Sequence, residues 1–271
     1  MREWNAEAYH RISNPQFEWG MTVLARLPLE GVECVLDVGC GTGRLTERLA
    51  ERLPRGRVVG IDQSANMVSA ARDHLRPYGG RVQMLVADAA ALPLSEVADA
   101  VFSTATFHWV LDHPRLFRSL YAALKPGGRL VAQCGGARNL ARVDRRTRML
   151  MSESRFAPYF TRWSYPWEFA DAETTARRLA EAGFDEIHTS VEPSPVVFPD
   201  AETYRTFITN VVCRPHLAHL PEAAAKDAFV AALTEQAAAD DPPFELDYWR
   251  LNLSARRPPL RARRAGAGAA L

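Results

Sequence analysis

Val35-Leu-Asp-Val-Gly-Cys-Gly-Thr-Gly43 is the stretch that decides the fold. A short apolar run ends in an acid and three alternating glycines, and the amphipathic segment Arg44 to Leu53 follows at once. This pattern is a buried strand that runs into a turn and then into a helix N-terminus. Glycine accepts positive φ and lets a ligand approach the backbone closely. A helix N-terminus presents N–H groups that have no intrahelical acceptor. The loop is built either to hold a small polar molecule or, more plainly, to make a tight strand-to-helix turn.

Two cofactor classes compete for such a loop. A dinucleotide fingerprint reads G-x-G-x-x-G, with an acid about 20 residues on. Here Gly39, Gly41 and Gly43 have G-x-G-x-G spacing, and Arg44 stands where the third glycine should be. Asp62 closes the apolar run Val58-Val-Gly-Ile61 and suits paired ribose hydroxyls in either class.

The pattern continues outward. Arg81 to Asp88 is another strand ending in an acid, Ala98 to Ser103 is a fourth and Arg129 to Cys134 a fifth. Before the fifth, Leu124-Lys-Pro-Gly-Gly128 ends a helix and turns the chain. Helical spacing shows in Leu45, Leu49 and Leu53, and in Met67, Ala71 and Leu75. Alternating strands and helices imply a parallel sheet covered on both faces. Ligands then sit beyond the C-terminal strand ends, where Asp37, Asp62, Asp88 and the loop after Ser103 fall.

Taken together and in this order, the glycine loop, the two later strand-end acids, the loop after Ser103 and the Leu-Lys-Pro-Gly-Gly turn resemble the class I S-adenosylmethionine-dependent methyltransferases over about residues 30 to 136. The resemblance implies an α/β, Rossmann-like, seven-stranded, mostly parallel sheet with one antiparallel edge strand, helices on both faces and a helical cap. It implies S-adenosyl-L-methionine as cofactor, bound by Asp37, Gly39, Gly41, Gly43, Asp62, Gln63, Met67, Asp88, Ala89 and Ser103. A nicotinamide reductase becomes the minor reading, disfavoured by Arg44. Residues 31–136 and 172–198 with the strand 244–257 are the expected core, and segments 137–171 and 199–243 the expected cap. Residues 1–30 are the expected lid and 258–271 a disordered basic tail.

A narrower resemblance starts at Trp4-Asn-Ala-Glu-Ala-Tyr9, continues through Gln16 and Trp19, and ends at the pair His108-Trp109. These residues look like those of a group that includes trans-aconitate, juvenile hormone acid and malonyl-carrier-protein methyltransferases. That likeness implies a carboxylate acceptor, with Tyr9, Gln16, His108 and Trp109 around it. Each also has a bland reading. The N-terminal aromatics could be a helix packing on the core, and His108 a satisfied structural histidine. Trp109 reads as packing on its helix, with a pocket wall as the other reading. His113, just before a proline, reads as an exposed helix start.

Composition narrows the partners. The chain has 271 residues, 47% hydrophobic and 24% charged, which suits one globular domain with an appendage. Its net charge of +1 makes no electrostatic case for nucleic acid or an anionic membrane. Cys34, Cys40, Cys134 and Cys213 form no C-x-x-C pair, which argues against zinc and fits a reducing cytoplasm. The N-terminus has no apolar leader and no run reaches the length of a membrane span. The expected substrate is a small acid. Arg138, Arg142, Arg145, Arg146, Arg148, Arg155 and Arg162 crowd the first cap segment, and one is expected to meet the anion. A carboxylate needs no base, whereas a hydroxyl usually does. Two alternatives stay open: transfer to a natural-product hydroxyl, amine or carbon with His108 as base, and a non-catalytic S-adenosylmethionine-binding partner protein.

Overall fold

A computed structural model describes residues 14–260. Tyr9 and most of the expected tail therefore lie outside the described residues. Helix α1 (Asn14–Ala25) leads into β1 (Cys34–Val38), α2 (Arg44–Arg52), β2 (Arg57–Asp62), α3 (Ala65–His74) and β3 (Val82–Val86). Then come β4 (Ala98–Thr104), α4 (His113–Ala123) and β5 (Leu124–Gly135). The remainder holds α5 (Ala141–Ser152), α6 (Ala172–Glu181), β6 (Asp185–Pro193), β7 (Val196–Val197), α7 (Ala201–Phe207), α8 (Arg214–Leu217), α9 (Ala223–Ala238), β8 (Glu245–Leu246) and β9 (Trp249–Arg256).

One seven-stranded sheet runs in the order β3-β2-β1-β4-β5-β9-β6. Pairing is parallel from β3 through β5 and antiparallel on both sides of β9. The expected antiparallel strand stands at this edge as β9, with β6 outermost beside it. The two late strands are each shorter than the sequence pattern suggests. Val196–Val197 and Glu245–Leu246 leave the main sheet and pair with each other.

Each strand sends alternate residues to opposite faces. Val35, Val58, Ala100 and Phe102 pack against Leu49 and Leu53 on one face. Leu36, Val38, Val101 and Leu130 pack against Leu116, Phe117, Leu120 and Leu179 on the other. A further cluster lies outside both faces. It joins Leu140, Val143, Leu150, Phe156 and Phe160 to Phe207, Ile208, Phe229 and Leu233, so the two interrupting segments share a core of their own.

Helix α1 packs on the core, as one of the two readings of the N-terminal aromatics has it. Val23, Leu24 and Leu27 are buried in the same cluster as Val35 and Leu49. Trp19 meets Tyr248 edge-on at 5.0 Å, and the Arg250 guanidinium stands 4.5 Å from its ring centre. Helix α1 is therefore part of the core from its middle onward. Leu24→Ala should cost about 2–5 kcal/mol of stability, as for other fully buried leucines. Urea denaturation will read this as a lower midpoint at constant slope; a loss below about 0.5 kcal/mol, typical of surface changes, would mean that α1 detaches.

Candidate active site

A cavity of about 640 Å³ opens beyond the C-terminal ends of β1, β2, β3 and β4. That size falls in the range of small-molecule sites, about 300–1,000 Å³. Gly39 and Gly41 form its floor, Asp62, Gln63 and Met67 one wall, and Asp88 and Ala89 the next. Thr104 to Thr106, Trp109 and Leu111 close the side after β4. Pro166, Arg214, Pro215 and Ala218 reach over from the two late segments.

The glycine loop shows why its composition is strict. Gly39, Gly41 and Gly43 all have positive φ. At Gly39 a Cβ would lie 1.9 Å from the Thr106 hydroxyl oxygen. At Gly41 nothing stands within 4 Å, so its bare backbone faces the cavity with room for a ligand. The Asp62 carboxylate accepts from the N–H groups of Gly41 (3.0 Å) and Ser64 (2.9 Å), which fixes it at the cavity edge. Asp88 accepts from Ala90 N–H at 2.9 Å.

Three expected binding residues do not face the cavity. Ser103 is buried and donates its hydroxyl to the Val38 carbonyl at 2.7 Å, tying β4 to β1. Gly43 opens α2 and would bring a Cβ within 2.7 Å of Leu75. Asp37 points inward, because alternation sends it to the α2 face with Val35, and there it accepts from the Thr46 hydroxyl at 2.6 Å. Burial pushes its carboxyl up to about 7, with Asp62 adding to the rise and the Thr46 bond opposing it.

The acceptor-side turn, Phe107–Trp109, is held from several directions. Half-buried as a residue, His108 has its ring enclosed by Trp109, Phe169 and the Gly135 backbone, whose N–H donates to Nδ1 at 3.2 Å. A ring held this way carries its proton on Nε2. Burial, and then the charge of Arg250 and His113, hold its pKa well below the usual histidine value. His113 is not the exposed residue expected. It is 1% exposed, its Nε2 lies 3.1 Å from the Phe107 carbonyl and its Nδ1 3.2 Å from Arg178 Nη1. Arg178 also bonds Glu168, whose N–H donates to the His108 carbonyl. Trp109 lines the cavity and meets Trp167 at 5.7 Å, so it is a wall residue as well as a packed one. Gln16 does not line the cavity, yet its Oε1 is buried without a partner among the described residues.

None of the seven arginines of the first cap segment lines the cavity. Arg142 and Arg146 pair with Glu245 and Asp240, Arg148 with Asp144 and Arg155 with Glu153. The cavity's arginines are instead Arg115, whose Nε donates to the Ala90 carbonyl, and Arg214. Sequence reading missed Thr106, Pro166, Arg214 and Pro215. Thr106 could have been found from its place directly after β4, but no local signal marks the other three.

Comparison with known proteins fits this geometry. A family model described as a methyltransferase domain matches residues 35–128. The trans-aconitate 2-methyltransferase of Rhodopseudomonas palustris is 30% identical over 256 residues, 90% of this chain and 93% of the relative. The chain belongs to the class I S-adenosylmethionine-dependent methyltransferases. The enzyme of the same name from Paracidovorax citrulli is 41% identical over 133 residues, a match that spans about half of each protein, 49% of this one and 50% of that one. Among solved structures, a Haemonchus contortus phosphoethanolamine N-methyltransferase 2 in complex with S-adenosyl-L-methionine superposes with a TM-score of 0.60 at 22% identity, over 93% of this chain and 56% of that one. The [4+2]-cyclase SpnF superposes with a TM-score of 0.59 at 26% identity, over 89% and 81%.

The methyltransferase's cofactor is S-adenosylmethionine, and the cavity fits it: an unobstructed glycine at the floor and one fixed carboxylate at the end of β2. Among the described residues no helix is long and apolar enough to cross a membrane.

Asp37 yields a pH prediction. Unfolded it releases its proton near 3.8, and in the native state near 7. Between those values the native state holds a proton that the unfolded state has lost. The stabilising contribution is therefore complete below about pH 4 and vanishes as pH rises to 7. Asp37→Asn keeps an acceptor for Thr46 and removes this titration. Between pH 5 and 8 the stability of the Asn variant should rise relative to the parent by about 2–3 kcal/mol, at 1.36 kcal/mol per pKa unit. Parallel urea-denaturation profiles would contradict it.

Proposed function

We propose that this methyltransferase carries out carboxyl O-methylation of a small organic acid by direct in-line transfer. The observation that carries this reading is the placement of His108: Gly135 N–H occupies its Nδ1 and its ring stands behind the lining, so no histidine base faces the cavity among the described residues. A carboxylate is ionised near pH 7 and needs no base. A hydroxyl would need one. The relatives named trans-aconitate 2-methyltransferase support the same chemistry.

Bound S-adenosylmethionine supplies a methyl group already activated on a sulfonium. The chain's own work is to hold, orient and exclude water, and orientation alone accounts for about 7–11 kcal/mol in favourable cases. In this reading Asp62 accepts the ribose hydroxyls, and Gln63, Met67, Asp88 and Ala89 flank the adenine. The backbone of Gly39 and Gly41 carries the methionine part, and Gly43, Asp37 and Ser103 support the loop from behind. Trp109 walls the acceptor, and His108, which does not line the cavity, supports that wall from behind. The segments 137–171 and 199–243 form a cap. The four buried cysteines suit a reducing, cytoplasmic setting.

The first test is transfer of label from S-adenosylmethionine to a panel of acids, phenols and amines. A cyclase on the same fold shows that methyl transfer must be scored directly. Cofactor binding without transfer to any member would favour a non-methylating protein. Asp62→Ala should weaken S-adenosylhomocysteine binding by at least about tenfold, through loss of charge-assisted hydrogen bonds; calorimetry with unchanged affinity would remove Asp62 from the site. His108→Gln keeps a donor and should retain most activity on the acid, with a rate that is flat from about pH 6 to 8. A base would instead show a loss of about 10²–10⁴-fold.

A further inference from the structure

We propose that Arg178, which does not line the cavity, is a positioning residue of the acceptor wall: it closes a ring of hydrogen bonds that fixes where Trp109 and Pro166 stand. The proposal rests on the reading that Trp109 walls the acceptor, and not on the acceptor being an acid.

The ring has four bonds. His113 Nε2 lies 3.1 Å from the Phe107 carbonyl, and Arg178 Nη1 lies 3.2 Å from His113 Nδ1. The same Nη1 donates to Glu168 Oε1 at 2.8 Å, and Glu168 N–H returns to the His108 carbonyl at 2.9 Å. One guanidinium nitrogen is thus the junction of two arms that end on consecutive carbonyls of the turn. Chemistry fixes the direction of each bond. An arginine only donates, so His113 Nδ1 accepts and its Nε2–H goes to the Phe107 carbonyl. Burial first, and the Arg178 charge after it, hold His113 below the usual histidine pKa, against the opposing pull of the Phe107 carbonyl, Glu168 and Asp112. The neutral ring that the geometry requires is also the one its surroundings favour.

The two arms join parts of the chain that are remote from each other. His113 opens α4 and Arg178 lies on α6, and both helices pack on the sheet through Leu116, Phe117 and Leu179 in one cluster. Glu168 belongs to the strap from Tyr165 to Ala170, between Trp167 and Phe169, whose rings stack 5.7 Å apart and 11° from parallel. Trp109 meets Trp167 and His108 meets Phe169, each at 5.7 Å. The strap also carries Pro166, which lines the cavity as Trp109 does. The ring therefore sets the two wall residues against each other from a platform on the sheet core.

The exposure of the pair shows that its role is placement more than folding. Arg178 and Glu168 keep 22% and 32% of their side-chain surface, and partly exposed ion pairs add little to stability. Removing Arg178 takes the bond from Glu168 Oε1 and from His113 Nδ1 together, and the turn and the strap are then free to shift apart. Methyl transfer is sensitive to such a shift, because it depends on the orientation of the reacting groups.

The test uses the full-length protein. Arg178→Met removes the donor and keeps an apolar stem, whereas Arg178→Lys keeps a charged donor able to serve both arms. The acceptor is whichever acid, phenol or amine of the panel above is methylated fastest. Arg178→Met should lose about tenfold to a hundredfold in kcat/KM, as a misplacement of about 1 Å can impose, and Arg178→Lys should recover part of it. Calorimetric stoichiometry and affinity for S-adenosylhomocysteine should match the parent in both variants. A merely structural role would instead lower the number of binding sites in step with the activity. Nitrogen NMR of the histidine rings should show His113 as the Nε2–H tautomer in the parent and in Arg178→Lys, and as a mixture of tautomers in Arg178→Met. The indole N–H resonance of Trp109 should move in Arg178→Met with no acceptor present. An unmoved Trp109 resonance, a parent-like kcat/KM in Arg178→Met, or activity lost only in proportion to the sites that bind S-adenosylhomocysteine overturns the proposal. The expected loss read on a phenol or amine, with no acid methylated, supports it while the carboxyl reading falls.

Discussion

The site depends on a length of backbone that carries no side chains where a ligand must pass. Gly39, Gly41 and Gly43 take positive φ in alternation between β1 and α2. A Cβ at the first would strike Thr106 and at the third Leu75. Those two glycines are demanded by the protein's own packing. Gly41 is different, since no neighbour forbids a side chain there and only its φ of +55° and the open cavity do. The fold thus spends two glycines on fitting the turn together and keeps the middle one clear for the ligand. Asp62 locks the same loop by accepting from Gly41 N–H, so the group that marks the end of β2 also sets the conformation of the end of β1.

A second chain of contacts sets the acceptor side. The Phe107–Trp109 turn is fixed at two of its carbonyls by groups from elsewhere in the chain. Its first carbonyl is bound by His113 and its middle carbonyl by Glu168 N–H, and Arg178 joins His113 to Glu168. Gly135 then fixes the tautomer of His108. His113 is buried, Arg178 and Glu168 are partly exposed, and each has its partner, which is the condition under which such a network rigidifies a site rather than weakening it. Trp109 is carried by this turn, so the orientation of the acceptor wall follows from bonds made well outside the cavity.

The order of strands, the parallel core and the cofactor edge were legible because they rest on local signals: period-two burial, strand-end acids and glycine spacing. The residues misjudged were those whose direction depends on a partner remote in sequence. Asp37 lies in the glycine motif, yet strand alternation sends it toward Thr46. His113 stands at a helix start, yet its slot faces the Phe107 carbonyl. The N-terminal helix looked detachable because its core contacts, through Val23, Leu24 and Leu27, carry no motif. The cap arginines drew attention by number, while their acids at Asp240 and Glu245 lie about a hundred positions away and were not readable as partners.

The two walls of the cavity have different origins in the chain. The cofactor wall, together with Trp109 on the acceptor side, is built from residues 38–115, within the stretch that the methyltransferase-domain model matches. Pro166, Arg214, Pro215 and Ala218 come from beyond it and rest on a separate cluster of buried side chains. The helix that carries Arg214 and Pro215 packs on a core separate from that of the sheet. Packing independence of this kind lets relatives share a cofactor edge while their acceptors diverge, because effects at sites without shared partners add rather than couple. Identity over half of a relative's length, as for the Paracidovorax citrulli enzyme, consequently says little about the acceptor. The acceptor has to be read from the charges and surfaces that the later segments bring to the cavity.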